Sequence, residues 1–283
     1  MKRVILRLCP LLLVVISVAA DSAAQGATSL LEHTAAIAAG QDSAGRRSAI
    51  TDSLKAAGIE YRLEEFSFAR FSGTNIVGDL PGEKAEKTFL LGAHYDRVPV
   101  GQGAVDNAAS CAVLLELLAA FKSKPLRSFS VRAVFFDHEE GGLVGSQAYI
   151  AGIRNKPLPA SAINFDIFGY GDTLFVTSTS LDGPLVQALQ HAAEGSSIAV
   201  RITDLRQYPA SDHRSMASAG IETLGVALID GSEIDPLLQR SARQPRILTI
   251  IHTPQDTMEN IRPQDMDKAV LIIERAIRLM DEP

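Results

Sequence analysis

Apolar strand-like segments alternate with helical segments along most of this chain, and that alternation constrains the fold more than any other feature. Four apolar segments read SVRAVFFD (130–137), SAINFDIFG (161–169), TLFVTS (173–178) and TLGVALID (223–230). Helical spacing of apolar residues appears in residues 106–121 and again after Pro263. Strands linked through helices favour a largely parallel sheet covered on both faces. We therefore predict one α/β domain with a mixed, mostly parallel central sheet flanked by helices on both faces.

The first 25 residues have the pattern of a cleaved secretory signal. Basic residues precede an apolar run, and small residues follow around position 20. A membrane anchor is disfavoured because the run is short and contains Pro10. We predict a signal peptide at residues 1–20 and a catalytic domain at residues 21–283. The mature protein is then exported to the periplasm or the extracellular space, with no membrane association after cleavage.

Composition narrows the partners and the means of stabilisation. The formal net charge is −6 and no long basic run is present, which argues against nucleic acid as a partner. After cleavage the chain keeps one cysteine, Cys111, so no intrachain disulfide can form. We expect a monomer held together by its core or by metal.

Several apolar segments run directly into side chains that carry charge or bind metal. TFLLGA leads to His94 and Asp96, VRAVFF to Asp137, His138, Glu139 and Glu140, SAINF to Asp166, and RILTII to His252, with Asp256 four residues later. The carboxyl ends of strands line the ligand crevice of open α/β sheets. If all four segments are strands, these residues meet at one edge.

Imidazoles and carboxylates without cysteine suit a divalent metal such as zinc. There are more carboxylates than one tetrahedral shell needs, which suggests two ions sharing a ligand. Asp106, just before its predicted helix, adds another carboxylate. A cation also explains the adjacent Glu139 and Glu140: one glutamate binds metal and the other acts as general base. The residues alone favour a metal hydrolase, although each short motif could also be an ordinary surface or capping feature.

Six segments taken in order resemble the co-catalytic di-zinc exopeptidases of clan MH, the family of secreted bacterial leucyl aminopeptidases. The segments are GAHYD, GAVDNAAS, FFDHEEGGLVGS, NFDIFG, YPASDH and HTPQDTMENI, and the match as a whole runs from about residue 75 to residue 261. The resemblance implies the single-domain zinc-exopeptidase fold. It also implies an aminopeptidase that removes N-terminal residues from peptides with a free N-terminus, using two zinc ions and a metal-bound hydroxide. Other divalent metals remain open.

The resemblance assigns roles by position. His94 and Asp166 would bind one zinc, Glu140 and His252 the other, and Asp106 would bridge them. Glu139 would be the general base, Asp96 would fix the tautomer of His94, and Tyr208 would support the oxyanion. The Asp106–Asn107 peptide is expected to be cis.

Two rival activities and three local features stay open. Glutaminyl cyclases share the fold and a similar FFD-x-EE strand, but use one zinc; the tryptophans typical of their pocket are missing here. A carboxypeptidase of the same clan is the other rival. His138 is either an extra contact or a bystander at the strand end, and the Asp212–His213 pair is expected to shape the pocket rather than bind metal. Residues 230–247 form a polar insertion, which is either a lid or a surface excursion.

Overall fold

Eight strands form one mixed sheet in the residues that the computed structural model describes, 30–239 and 244–281. The strands are β1 (Tyr61–Phe68), β2 (Phe71–Leu80), β3 (Lys87–His94), β4 (Phe129–Phe136), β5 (Ser161–Phe165), β6 (Thr173–Ser178), β7 (Ala199–Asp204) and β8 (Glu222–Ile229). Their order across the sheet is β1-β2-β4-β3-β5-β8-β6-β7. The predicted signal peptide, residues 1–20, lies outside the described residues.

The centre of the sheet is parallel and its flanks are not. β4, β3, β5 and β8 run parallel to one another, whereas β2 pairs antiparallel with β4, and β6 pairs antiparallel with β8. The mixed, mostly parallel sheet predicted from the sequence is confirmed. Side chains alternate between the faces as the pleat requires: Phe89 and Leu91 belong to one apolar cluster and Leu90 to the other.

Helices cover both faces. Their bounds are α1 (residues 30–38), α2 (Ser43–Ala56), α3 (Ala109–Ser123), α4 (Val144–Ile153), α5 (Pro184–Ala193), α6 (His213–Ser218), α7 (Ile234–Leu238) and α8 (Pro263–Asp281). Residues of α3, α5 and α8 pack in one apolar cluster, and residues of α4 and α6 pack in the other. The helices that follow the neighbouring strands β3 and β4 therefore lie on opposite faces. Their connecting loops diverge and open a crevice at the carboxyl ends of these strands.

Among the described residues, one helical stretch is long and apolar enough to cross a membrane, and it is part of the core. Ala104–Ser123 is 20 residues long and contains an 18-residue window with a mean hydropathy of 1.6, yet 83% of that window is buried within the fold. Its first turn, Ala104–Ala108, is a π-type turn, and the regular helix α3 begins only at Ala109. The residues just before α3 thus carry Asp106, ahead of the regular helix as the sequence predicts.

One predicted strand is wrong. The segment RILTII is not a strand: Arg246–Thr249 forms a 3₁₀ turn and the chain continues in turns to His252. Ile247 and Ile250 are buried while Leu248 and Thr249 are exposed. Their spacing of three residues fits a 3₁₀ turn and not the two-residue period of a strand. His252 therefore reaches the site from a loop, with a positive φ of 59°.

Candidate metal centre

The carboxyl ends of the parallel strands deliver side chains to one edge, as the sequence predicts. His94 ends β3, the segment 137–140 follows β4, and Asp166 follows β5. β3 pairs in register with both neighbours, since His94 is opposite Phe136 and Ala93 is opposite Phe165. This register brings the three strand ends to the same level.

Five side chains form two groups that share Asp106. His94, Asp106 and Asp166 form one group, and Asp106, Glu140 and His252 form the other. In the first, His94 Nε2 lies 3.2 Å from Asp106 Oδ1 and 3.5 Å from Asp166 Oδ1. In the second, His252 Nε2 lies 3.1 Å from both Asp106 Oδ2 and Glu140 Oε2. The two oxygens of Asp106 thus face different histidines, which is the arrangement of a bridging carboxylate.

The two groups differ in access to solvent. The His94 side chain is 1% exposed, whereas that of His252 is 53% exposed. We call the first group the inner site and the second the outer site. An ion in the outer site would be the more accessible of the two.

The donor set fits zinc. Imidazole nitrogens and carboxylate oxygens are its usual ligands. Within the described residues two buried atoms of the set, His94 Nε2 and Glu140 Oε1, have no hydrogen-bond partner. Buried polar atoms are rarely left unpaired, and a cation would satisfy both.

Protonation equilibria show the same crowding of opposite charges. Burial alone lowers the pKa of His94, but the charge of Glu139 and contacts with Asp106 and Asp166 raise it well above its usual value. Contacts with Asp106 and Glu140 raise the pKa of His252 to about 10. Burial favours protonation of Asp106, yet the two histidines outweigh it and lower its pKa. The carboxylates of both groups therefore favour a positive charge beside them, which a metal ion bound between the ligands would supply.

Asp96 connects the inner site to the glutamate pair. Its carboxylate lies 3.4 Å from His94 Nδ1, and its carbonyl oxygen lies 3.3 Å from the same nitrogen. The carboxylate also accepts hydrogen bonds from the backbone N–H groups of Glu139 (3.0 Å) and Glu140 (3.2 Å). These contacts place the Nδ1 proton of His94 toward Asp96 and leave Nε2 free as a ligand. Asp96 therefore also positions the glutamates, which the sequence did not reveal.

Glu139 lines the cavity beside both groups without belonging to either. Burial, with the charges of Asp166 and Asp212, raises its pKa to about 9 against the opposing effect of His94. A cation bound by the neighbouring carboxylates acts in the opposite direction and lowers this pKa.

The loop that carries Asp106 is held by hydrogen bonds that the sequence did not reveal. The buried carboxylate of Asp256 accepts hydrogen bonds from Val105 N (2.8 Å) and Asp106 N (3.2 Å). Asn107 donates to the Phe165 carbonyl and accepts from Ile167 N. The Asp106–Asn107 peptide is cis, as predicted. Only Asp256 had a sequence signal, its place four residues after His252.

Arg46 of α2 has a related role. It is fully buried and donates to the carbonyl oxygens of Tyr95 (2.9 Å), Asp96 (3.1 Å) and Gln102 (3.1 Å), and to that of Gly103. It thereby ties the end of β3 to the loop before Asp106. No sequence signal marked it, because an arginine within a helix usually faces solvent.

An apolar cavity of about 220 Å³ opens beside the metal-binding side chains. Asp106, Glu139, Asp166 and His252 line its polar end. The other walls are made by Ile167, Phe175, Tyr208, Pro209, Ala210, Ser211, Ala227, Ile229, Leu237, Ile247, Leu248 and Ile251. The chemistry and an apolar binding pocket therefore share one space.

Tyr208 and the Asp212–His213 pair, also singled out from the sequence, lie at one side of this cavity. Tyr208 lines it, with its hydroxyl donating to the Phe175 carbonyl (3.3 Å), and burial followed by the charge of Asp166 raises its pKa. Asp212 and His213 are fully buried, and neither belongs to the two metal-binding groups. The His213 ring packs edge-on against Tyr208 at 5.4 Å and so backs the pocket wall.

His138 turns away from the cavity. Its ring packs against Phe66 and Phe71, and its Nε2 lies 3.2 Å from the Ser72 carbonyl oxygen. It is not among the cavity-lining residues. These contacts favour the bystander interpretation.

A known protein family matches the part of the chain that contains the metal-binding side chains. The model of the family described as "Peptidase family M28" matches residues 75–277. Aminopeptidase YwaD of Bacillus subtilis (strain 168) is 28% identical over 229 residues, which are 77% of this chain and 47% of that protein. Leupeptin-inactivating enzyme 1 of Streptomyces exfoliatus is 27% identical over 176 residues, 61% of this chain and 40% of that protein. The chain thus spans about half the length, or less, of these relatives.

Solved structures share the fold. A zinc aminopeptidase from Bacillus subtilis is 25% identical, with a TM-score of 0.59 over 74% of this chain and 50% of that chain. A glutaminyl cyclase from Fimbriiglobus ruber is 20% identical, with a TM-score of 0.71 over 89% of this chain and 95% of that chain. The second likeness shows a common fold only, so the fold does not distinguish the hydrolase from the cyclase.

Proposed function

This chain belongs to peptidase family M28, and from that membership we propose that it is a zinc-dependent aminopeptidase that removes N-terminal residues from peptides. One observation carries the proposal. Asp106 is shared between the inner and outer sites, and both sites open into the apolar cavity that Glu139 also lines. Two metal-binding groups, a free carboxylate and a side-chain pocket are together what such a hydrolase needs.

The residues divide the work as follows. His94, Asp106 and Asp166 would hold one zinc, and Asp106, Glu140 and His252 the other. When bound, the ions supply Lewis acidity that polarises the peptide carbonyl and makes water a nucleophile at neutral pH. Glu139 accepts the proton of the attacking water and returns it to the leaving amine.

Supporting residues keep these groups in place. Asp96 holds the backbone of Glu139 and Glu140 and orients His94. Tyr208 stands at the cavity wall and would stabilise the negative oxygen of the tetrahedral intermediate. To do so, the Tyr208 hydroxyl must break its hydrogen bond to the Phe175 carbonyl and donate to the substrate oxygen instead.

Cavity chemistry supports the direction of cleavage and the kind of substrate. Carboxylates at the polar end favour a cationic α-amine over a C-terminal carboxylate. The other walls are largely aliphatic and aromatic, so we expect a preference for peptides that begin with an apolar residue.

Two ions are proposed because the inner and outer sites each offer three ligands. Zinc analysis of the dialysed protein should give two ions per chain. Brief chelation should remove one faster, since His252 is half-exposed and His94 is buried.

Glutaminyl cyclisation is the second candidate, favoured by the shared fold. Two complete ligand groups argue against it, because the cyclase reaction needs one zinc. A cyclase would release ammonia from a peptide that begins with glutamine and leave its other residues intact.

The deciding experiment follows peptides by mass spectrometry. The zinc-loaded mature protein is incubated with free-amine peptides, one of which begins with glutamine, beside a Glu139→Gln control. We expect stepwise loss of N-terminal residues, reduced by about 10²–10⁴-fold in the control, since general-base catalysis typically contributes that factor.

The other outcomes are equally informative. Loss of ammonia from the glutamine peptide alone would establish the cyclase. Removal of C-terminal residues would establish a carboxypeptidase. Unchanged peptides with a fully zinc-loaded protein would refute the aminopeptidase.

Export through the N-terminal signal is part of the proposal. It rests on the basic, apolar and small-residue pattern of the first 25 residues. N-terminal sequencing of the protein recovered outside the cytoplasm should show a mature chain that begins directly after residue 20.

A further inference from the structure

One wall of the cavity comes from a segment with little regular structure. Leu237, Ile247, Leu248 and Ile251 line the cavity. They lie on the short helix α7 (Ile234–Leu238) and on the 3₁₀ turn Arg246–Thr249 with the turn after it. The part of the polar insertion that the structure describes is therefore a pocket wall. Among the described residues of α7 and of the turns at 244–251, the hydrogen bonds between backbone groups are local to the segment and none reaches a strand.

One side chain joins the two sides of this wall. Glu233 Oε2 accepts a hydrogen bond from the backbone N–H of Ile247 at 2.7 Å. Its Oε1 accepts from the Tyr170 hydroxyl at 2.8 Å. Glu233 directly precedes α7, so a single carboxylate fixes the positions of α7 and the 3₁₀ turn relative to each other.

Tyr170 anchors the carboxylate to the sheet. Its backbone N–H donates to the Leu228 carbonyl, and the residue is 2% exposed. The guanidinium groups of Arg246 and Arg262 lie 5.9 Å and 5.7 Å from its ring centroid. Burial and the contact with Glu233 raise the pKa of Tyr170 to about 12, so the phenol stays a donor at neutral pH.

We propose that Glu233 is a positioning residue for substrate selectivity: by clamping Ile247 to Tyr170 it holds the apolar wall against the N-terminal side chain of the substrate. This inference rests on the proposed aminopeptidase function. Glu233 itself does not line the cavity, so it acts through Ile247 and Leu237. A large apolar side chain touches the wall, whereas that of alanine is too short to depend on it.

Three variants test the clamp against a control. Glu233→Ala removes both acceptors. Glu233→Gln keeps one acceptor for Ile247 N–H and offers a donor to the Tyr170 oxygen, so it should restore selectivity. Tyr170→Phe removes one of the two bonds. Asp235→Ala is the matched control, because Asp235 lies on the same segment and its side chain forms an exposed ion pair with Arg201 in the part of the chain that the structure describes.

We expect a split between KM and kcat that depends on the substrate. With leucyl and alanyl amides, Glu233→Ala should raise the KM for the leucyl substrate about tenfold, a typical effect of losing apolar contacts in a pocket. The kcat for both substrates and the KM for the alanyl substrate should stay within about twofold. The KM of Tyr170→Phe for the leucyl substrate should lie between those of the wild type and Glu233→Ala. The KM of Asp235→Ala should match that of the wild type.

A second readout does not require activity. Hydrogen exchange of the Ile247 amide should accelerate in Glu233→Ala and stay slow in Glu233→Gln and in Asp235→Ala. Equal losses on both substrates, or unchanged exchange in Glu233→Ala, would overturn the clamp. If the wild type cleaves neither amide while exchange responds as expected, the proposed function fails and the clamp remains as a structural fact without a role in selectivity.

Discussion

A single carboxylate, Asp256, fixes the backbone that presents the shared ligand Asp106. Both of its oxygens accept hydrogen bonds from that loop, and burial raises its pKa to about 6. Asparagine at this position offers one acceptor only and turns its amide group toward a second backbone donor. Asp256→Asn should therefore lower the free energy of unfolding by about 1–3 kcal/mol. It should also weaken zinc affinity about 10–100-fold, as is typical when a group that orients a ligand is lost.

Urea unfolding and a competitive zinc chelator measure these two effects. The matched control is Asp52→Asn, where an exposed carboxylate pairs with Lys55 and an effect near zero is expected. Equal zinc affinity in the two variants would contradict the role given to Asp256. The sequence pointed to Asp256 by its place near His252. It did not show that the carboxylate turns toward a backbone 150 residues earlier.

At the scale of elements, helix α2 is joined to the site by one buried arginine. Arg46 donates to four carbonyl oxygens on two separate segments. Methionine fills similar volume but leaves these oxygens unpaired. Arg46→Met should cost at least about 3 kcal/mol of unfolding free energy, because several buried acceptors lose a charged donor.

Thermal or urea unfolding checks this value, with Arg154→Met as control. Arg154 is exposed at the end of α4, so little change is expected there. A cost near that of the control would mean that water or backbone shifts replace the guanidinium.

Elements also show where sequence reasoning succeeds and where it stops. The central strands β3, β4, β5 and β8 were predictable because buried parallel strands are continuous apolar runs. The segment RILTII has the same composition, yet Ile247 and Ile250 turn inward at 3₁₀ spacing. Composition does not reveal that spacing, because it depends on contacts with distant residues such as the hydrogen bond from Ile247 N–H to Glu233. The edge strands β1 and β7 lack a continuous buried apolar run, and both carry exposed residues, so they have no strong signal in the sequence.

At the scale of the whole molecule, the buried His213 contributes to the pH dependence of the free energy of unfolding. Burial, with the charge of Arg214, lowers its pKa to about 4, against about 6.5 when unfolded. Above pH 6.5 the ring is neutral in both states and contributes nothing. As pH falls from 6.5 to 4, His213 binds a proton in the unfolded state but stays largely neutral in the folded state. The free energy of unfolding therefore falls by about 3 kcal/mol.

The prediction concerns the difference between the wild type and His213→Leu, because other groups also titrate over this range. Urea unfolding at pH 7 and pH 4.5 should show the wild type losing about 2–3 kcal/mol more than the variant. Parallel losses in the two proteins would mean that the folded state accommodates a protonated His213.

The five proposed ligands are spread from position 94 to position 252, and the loop that carries Asp106 depends on Arg46 before them and Asp256 after them. No short stretch of the chain contains a complete ligand group. Joining such distant segments carries a large loop-closure cost, which is recovered only when the sheet and both helical layers have formed. A chain that ends before His252 therefore lacks the outer group and could hold at most the ion of the inner site. Under the proposed ligand assignment, two tightly retained ions would mark a chain that has folded as far as its last ligand, His252.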